Sequence, residues 1–116
     1  MNQVKNLDVY KRAHLLALEI YRTTHKFPKE ELYGLVSQMR RAALSINSNL
    51  SEGSARNSNG EYKQFIGIAQ GSVAELEYQM LLSKELGYIP KEHADKLLDE
   101  LQQILKMLNG LARSLK

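Results

Sequence analysis

Apolar residues of this chain recur every three or four positions along four successive segments, and no segment alternates with a period of two for long enough to form a strand. Such spacing gathers the apolar side chains into one stripe of an α-helix, which has about 3.6 residues per turn. The two prolines, Pro28 and Pro90, fall between segments rather than inside them. The periodicity therefore predicts an all-α protein.

The ends of the four segments carry helix-boundary signals. Pro28 closes the first segment, and Gly53 precedes a polar run that closes the second. Ser58 and Glu61 have the spacing of a capping box, in which a hydroxyl and a carboxylate satisfy backbone amides at a helix start. Pro90 is tolerated in the first turn of the last helix.

These signals predict helices over about residues 7–26, 29–55, 59–86 and 90–115. Helices joined by such short connections run antiparallel to their neighbours, which predicts an up-down-up-down four-helix bundle. A length of 116 residues suits a single domain that covers residues 1–116.

Composition excludes several classes of protein and of site. The chain has no cysteine, which excludes disulfides, thiolate zinc sites and cysteine nucleophiles. The apolar stretch at residues 15–18 is far shorter than the roughly 20 residues that span a bilayer. Because Lys5, Asp8 and Lys11 interrupt the N-terminal region, we expect no signal peptide, no membrane association and a cytoplasmic location.

The three histidines do not suggest an active site. His14 falls on the predicted apolar stripe of the first helix, where we expect a packed core side chain. His25 and His93 lie near helix ends, where a solvated or capping role is usual. No Glu-x-x-His pair recurs on two helices, as a di-iron bundle would require. We therefore expect no enzymatic activity, no metal and no cofactor.

The first and third helices carry more apolar surface than one bundle requires. On the first helix, we expect the stripe through Leu7, His14, Leu18 and Tyr21 to face the core. A second apolar sector of that helix then remains uncovered, and it consists of Val9, Ala13, Leu16 and Ile20. The third helix has a comparable outward sector with Tyr78, Leu81 and Leu82.

A monomer would leave these two sectors in water, which favours self-association. The predicted oligomer interface consists of Leu16, Ile20, Tyr78, Leu81 and Leu82. The alternative is that scattered exposed leucines are normal and need no partner.

One face of the second helix carries small and amide side chains where a solvated face usually carries Lys and Glu. This polar strip consists of Gln38, Arg41, Ser45, Ser48, Asn49 and Glu52. Glu75 of the third helix is a candidate ion-pair partner for Arg41, and Gly67 and Gly71 leave one flank of that helix with little bulk. We interpret the strip and Glu75 as a structural or interface feature that packs against another helix, where its hydrogen bonds are satisfied.

Basic residues are concentrated in the first half of the chain. Residues 1–63 contain ten Lys or Arg and six Asp or Glu, whereas residues 64–116 contain six and seven. Such asymmetry favours an anionic partner. The candidate phosphate contacts are Lys11, Arg12, Arg22, Lys26, Arg40, Arg56 and Lys63. The alternative is that these residues are ordinary solvated charges.

Two motifs and three shorter runs resemble those of a known family. The motifs are QMRRAALSINSNLSEG at residues 38–53 and IAQGSVAEL at residues 68–76; the shorter runs are FP at 27–28, YGL at 33–35 and LGYI at 86–89. On these residues the chain resembles the bacterial four-helix bundle proteins known as ribosomal RNA intervening-sequence proteins. The resemblance covers nearly the whole chain.

This resemblance implies a four-helix subunit in a ring-like homopentamer, as in the related accessory protein of diversity-generating retroelements. That relative has a basic surface and works with a reverse transcriptase and nucleic acid. We therefore expect a non-enzymatic homo-oligomeric module that binds RNA or DNA, with RNA favoured. The alternative is an oligomeric scaffold that presents a surface to a partner protein and has no nucleic-acid role.

Overall fold

The computed structural model describes residues 3–116, and α-helices account for most of them. The four α-helices of this range are α1 (Asp8–Thr24), α2 (Ser37–Ser54), α3 (Asn59–Glu85) and α4 (Lys91–Ser114). Shorter helical turns lie at Gln3–Asn6, Lys29–Glu31 and Leu32–Val36. No strand occurs between residues 3 and 116, so the predicted all-α four-helix bundle is confirmed.

Side-chain hydrogen bonds between neighbouring helices define the direction in which each helix runs. For each pair of helices in contact, residue numbers rise along one helix as they fall along the other. The bonded pairs are Tyr10–Asn47 and Thr24–Arg40 for α1 and α2, Ser72–Ser45 and Ser83–Met39 for α2 and α3, Gln70–Asn109 and Lys84–Asp95 for α3 and α4, and Arg12–Glu100 and Thr23–His93 for α1 and α4. Adjacent helices are therefore antiparallel, and α1 lies diagonally opposite α3.

The core face of α1 is not the one that the sequence predicted. Leu16 and Ile20 are 2% and 0% exposed, whereas Leu18 and Tyr21 of the predicted core stripe are both 39% exposed, and His14 is exposed. The buried sector, which contains Leu16 and Ile20, is aliphatic. The exposed sector includes the His14 imidazole and the Tyr21 phenol, and each of these groups would need a hydrogen-bond partner if it were buried. The prediction that Leu16 and Ile20 form an oligomer interface is therefore wrong, because the bundle itself buries them.

The predicted second helix is broken near its start. A 3₁₀ turn at Lys29–Glu31 and a kinked segment at Leu32–Val36 precede α2, and Gly34 has non-helical φ and ψ angles of −115° and −108°. The Glu31 carboxylate accepts a hydrogen bond from the backbone N–H of Leu35 at 3.5 Å. The apolar spacing continues through this segment, so periodicity alone predicted one uninterrupted helix.

The junction between α2 and α3 follows the predicted boundary signals. The Ser58 hydroxyl accepts a hydrogen bond from the backbone N–H of Glu61 at 3.2 Å, which caps the start of α3. A Cβ atom built on Gly53 would lie 2.7 Å from the Cβ of Phe65 and 3.0 Å from Cδ1 of Tyr62. Glycine at this position therefore lets the end of α2 approach the first turns of α3.

Candidate nucleic-acid interface and subunit surfaces

Arg12 is tied to α4. Its guanidinium donates two hydrogen bonds to the Glu100 carboxylate, from Nε at 2.8 Å and from Nη2 at 2.6 Å. These bonds are the main reason that the pKa of Arg12 is raised above its ordinary value. A guanidinium already paired with a carboxylate in this two-point geometry has little charge left for a phosphate. Arg12 therefore joins α1 to α4, a role that the sequence did not predict.

Two other candidate phosphate contacts also have acidic partners. Arg56 Nη2 lies 2.8 Å from Glu52 Oε2, and its guanidinium stacks 4.8 Å from the centre of the Phe65 ring. Arg22 lies 3.7 Å from Glu19 in a looser, exposed pair. The charges of Arg56 and Arg22 are thus partly compensated within the subunit.

The remaining candidates have no acidic partner within 4 Å in the described chain. Lys11, Lys26 and Lys63 are exposed. Arg40 donates to the Thr24 hydroxyl at 3.0 Å, and its guanidinium lies 4.6 Å from the centre of the Tyr21 ring. These four residues do not form one patch, because Lys11 and Lys63 lie towards one end of the bundle and Lys26 and Arg40 towards the other.

A groove between α1 and the start of α2 combines positive charge with aromatic rings. We name it the α1–α2 groove; it has a volume of about 380 Å³ and is lined by Tyr21, Leu32, Tyr33, Val36, Ser37, Arg40, Arg41 and Leu44. The Tyr33 side chain is 93% exposed. The Arg41 side chain is exposed and forms no hydrogen bond or ion pair with the described residues. In the sequence, Tyr33 appeared only within the YGL run and no binding role was predicted for it, although the adjacent Gly34 signals a break in the helix.

The polar strip of α2 packs partly against α3. The Ser72 hydroxyl donates to Ser45 Oγ at 2.7 Å, and Asn49 Nδ2 donates to the same Ser45 hydroxyl at 2.9 Å. Gln38, Arg41 and Glu75 line a small hollow of about 180 Å³ beside these bonds. Arg41 and Glu75 do not approach within 4 Å, so the hypothesised ion pair between them is absent from this subunit.

The outward faces of α1 and α3 both expose apolar side chains. On α3, Tyr78 is 65% exposed, Leu81 is 41% exposed and Leu82 is half-buried. On α1, the exposed side chains are Leu15 at 64% and Leu18 at 39%. Because α1 and α3 are diagonal in the bundle, these two apolar faces point in opposite directions.

A cleft at the other side of α1 contains the side chains of Glu19, Thr23 and His93. His93 Nε2 lies 3.2 Å from Glu19 Oε2 and 3.0 Å from the Thr23 hydroxyl. Within residues 3–116, no group of three or more His, Cys, Asp or Glu side chains is arranged to hold a metal ion. No helix in the same range combines the length and the apolar character needed to cross a membrane.

The chain is similar to a known protein family and to solved structures. The profile of the 23S rRNA-intervening sequence protein family matches residues 5–110. A solved structure of a protein of unknown function from the S23 ribosomal protein family of Bacteroides thetaiotaomicron VPI-5482 has a TM-score of 0.80 and 21% sequence identity, over 90% of this chain and 97% of that chain. No curated protein sequence matches the chain. At this identity, the structural similarity shows a shared fold.

Proposed function

Because the chain belongs to the 23S rRNA-intervening sequence protein family, we propose that it is the subunit of a ring-like homo-oligomer that binds nucleic acid, with RNA as the favoured ligand. The proposed module is non-enzymatic and cytoplasmic, and its pentameric state follows the family resemblance. The observation that carries the proposal is the pair of apolar faces on α1 and α3, which point to opposite sides of the subunit.

Two different faces on opposite sides favour a ring over a two-fold dimer. A two-fold dimer uses the same surface on both subunits and would leave the second face in water. If the α3 face of one subunit contacts the α1 face of the next, every subunit in a closed ring covers both faces. Burial of about 400 Å² of apolar surface would contribute on the order of 10 kcal/mol before the cost of association.

Paired substitutions test this arrangement. Leu15→Arg places a charge on the apolar α1 face, and Leu81→Arg places one on the apolar α3 face. Neither variant alone is therefore expected to form the ring. A mixture of the two is expected to form a heterodimer of twice the 13.2 kDa subunit mass, because one intact α1 face and one intact α3 face remain. If a Leu15→Arg variant alone forms a stable two-fold dimer, the head-to-tail arrangement is wrong.

Support for the nucleic-acid role comes from cations that lack an acidic partner. Among the predicted phosphate contacts and the groove residues, these are Lys11, Lys26, Lys63, Arg40 and Arg41. A ring repeats each weak patch in every subunit, and linked sites raise the overall affinity without any new contact. The sequence pI of about 9.2 gives the chain a net positive charge at neutral pH.

Fluorescence polarisation with structured RNA and with duplex DNA tests this role. Binding should weaken steeply as salt rises, with the logarithm of the affinity falling by about 0.7–0.9 per phosphate contact for each unit of log salt. An absence of salt-sensitive binding to either ligand at low salt would contradict the role.

A protein-interaction scaffold is the second candidate. It is favoured by the carboxylate pairing of Arg12 with Glu100 and of Arg56 with Glu52, which removes two of the predicted phosphate contacts. A defined partner protein that co-purifies with the ring and stays bound after nuclease treatment would support the scaffold over the RNA-binding module.

A further inference from the structure

We propose that the α1–α2 groove binds an unpaired nucleotide of single-stranded RNA, with the base stacked on the Tyr33 ring and the phosphate facing Arg40 and Arg41. This inference rests on the proposed RNA-binding function and names the site and the form of RNA that it takes. It is carried by the exposure of Tyr33, the fixed position of its backbone and the charge of the groove.

The Tyr33 ring is exposed but does not belong to a loose loop. It lies in the segment Leu32–Val36, where the chain is kinked at Gly34 before α2 begins. Glu31, just before this segment, accepts hydrogen bonds from the backbone N–H of Leu35 and from the Tyr88 hydroxyl, the latter at 2.9 Å. The Tyr88 ring packs 5.2 Å from Phe27. These contacts hold the backbone on either side of Tyr33, and the 93% exposed ring stays open to a ligand.

The charge of the groove selects an anion. Arg40 and Arg41 line it together with the Ser37 hydroxyl, and its lining includes no acidic side chain. By contrast, three other clefts each contain a glutamate, namely Glu52, Glu19 and Glu75. Arg40 is held by Thr24 and by the Tyr21 ring without being neutralised. Arg41 borders both this groove and the hollow that contains Glu75, and it forms no ion pair with Glu75.

Aromatic rings beside uncompensated guanidinium groups suit a nucleotide better than a simple anion. Single-stranded RNA is bound by stacking of splayed-out bases on aromatic side chains and by basic groups along the phosphates. A base inside a duplex is already stacked and cannot cover Tyr33. A volume of about 380 Å³ falls within the range of about 300–1,000 Å³ that is usual for small-ligand sites.

The test measures binding of a labelled ten-nucleotide oligoadenylate to the full-length oligomer by fluorescence anisotropy at low salt. Tyr33→Ala is expected to weaken binding by about 5-fold to 150-fold, the range found when stacking residues are truncated. Tyr33→Phe, which keeps the ring, is expected to bind like the wild type, and Tyr33→Leu to resemble Tyr33→Ala. A duplex of the same length should not distinguish these variants.

Arg41 has a matched control. Arg41→Ala is expected to weaken oligoadenylate binding and to reduce the salt slope by about one phosphate contact. Arg113→Ala removes an exposed arginine from the end of α4, outside the groove, and is expected to leave the affinity unchanged. Equal losses in the two variants would mean that only overall charge matters, which overturns the assigned site.

The remaining outcomes separate this inference from the proposed function. If the wild type binds RNA in a salt-sensitive way and Tyr33→Ala binds equally well, the groove is not the site, although RNA binding stands. If the wild type binds no RNA, both the inference about the groove and the proposed RNA-binding function are wrong. If Tyr33→Ala changes the oligomer mass, a neighbouring subunit occupies the groove and the inference is overturned. Tyr33 is 93% exposed, so its substitution is expected to leave the thermal unfolding of the subunit unchanged.

Discussion

At the scale of single residues, side-chain partners decide what each predicted site residue can do. Arg12 and Arg41 look alike in the sequence, yet Arg12 is bound to Glu100 and Arg41 has no ion-pair partner in the described chain. The sequence could identify both as basic residues on helices. It could not give their pairing, because Glu100 comes from α4 and is brought to Arg12 only by the packing of the bundle.

Gly53 is a second residue whose importance depends on packing. A Cβ at this position would overlap Phe65 and crowd Tyr62, so Gly53→Ala is expected to lower the free energy of unfolding by about 1–3 kcal/mol, as overpacking does. Gly110 of α4 has open space around its missing Cβ, and Gly110→Ala is expected to raise that free energy by up to about 1 kcal/mol. Urea denaturation of the two variants measures both effects. Equal effects of the same sign would contradict the close contact at Gly53.

At the scale of the helices, the number of elements and several of their ends could be predicted, but the orientation of α1 could not. The capping signal of Ser58 and Glu61 depends on neighbours in the chain, so the sequence contains it in full. The choice between two apolar sectors of α1 depends on which sector meets α2 and α4. The break at Gly34 was missed for a similar reason, because the apolar spacing on both sides of it remains helical.

The buried face of α1 can be tested by truncating one residue from each sector. Ile20 is fully buried, so Ile20→Ala is expected to lower the free energy of unfolding by about 2–5 kcal/mol. Leu18 of the predicted core stripe is 39% exposed, and in the isolated subunit Leu18→Ala is expected to lower it by less than about 1 kcal/mol. Denaturation at a concentration where the subunit is monomeric makes the comparison. A larger effect at Leu18 than at Ile20 would mean that α1 is rotated as the sequence first suggested.

The contact between α3 and α4 has a dependence on pH that follows from Asp95. Lys84 and Lys91 each donate a hydrogen bond to its carboxylate at 2.8 Å, and these bonds lower the pKa of Asp95, Lys84 having the larger effect. A lowered pKa in the folded state means that the contribution to stability is present above the ordinary pKa of the carboxyl and is lost as pH falls through the folded-state value.

Comparison of the wild type with Asp95→Asn tests this contribution. The wild type is expected to be the more stable of the two at pH 7, and the difference is expected to shrink as the pH falls below the ordinary aspartate pKa of 3.8. Thermal unfolding at a series of pH values gives the comparison. A difference that stays constant down to strongly acid pH would contradict the ion-pair explanation.

At the scale of the whole molecule, the predicted excess of apolar surface is present in the structure, although the exposed residues of α1 differ from those predicted. The sequence predicted more apolar side chains on the first and third helices than one bundle can bury, and the subunit leaves Leu15, Leu18, Tyr78 and Leu81 exposed. Exchanging the two sectors of α1 alters which side chains are exposed but leaves an apolar face there. The excess of apolar surface could therefore be predicted by counting apolar residues on each helix. Which of those residues are exposed depends on how the helices pack, and the sequence alone could not give that.

The proposed RNA site and the proposed subunit contacts are centred on different residues. The proposed subunit contacts lie on the outward faces of α1 and α3, whereas the α1–α2 groove is centred on Tyr33 and Arg41. A ring built in this way repeats the groove once in each subunit. Loss of the ring would therefore weaken RNA binding through lost multivalency even if each groove stayed intact.

The most direct test of this account is the mass of the purified wild-type chain in solution, measured by light scattering after size-exclusion chromatography. We predict a single species of several subunits, with five favoured by the family resemblance, at a multiple of the 13.2 kDa subunit mass. A species of 13.2 kDa that persists at high protein concentration would contradict the account, because the apolar faces of α1 and α3 would then remain in water.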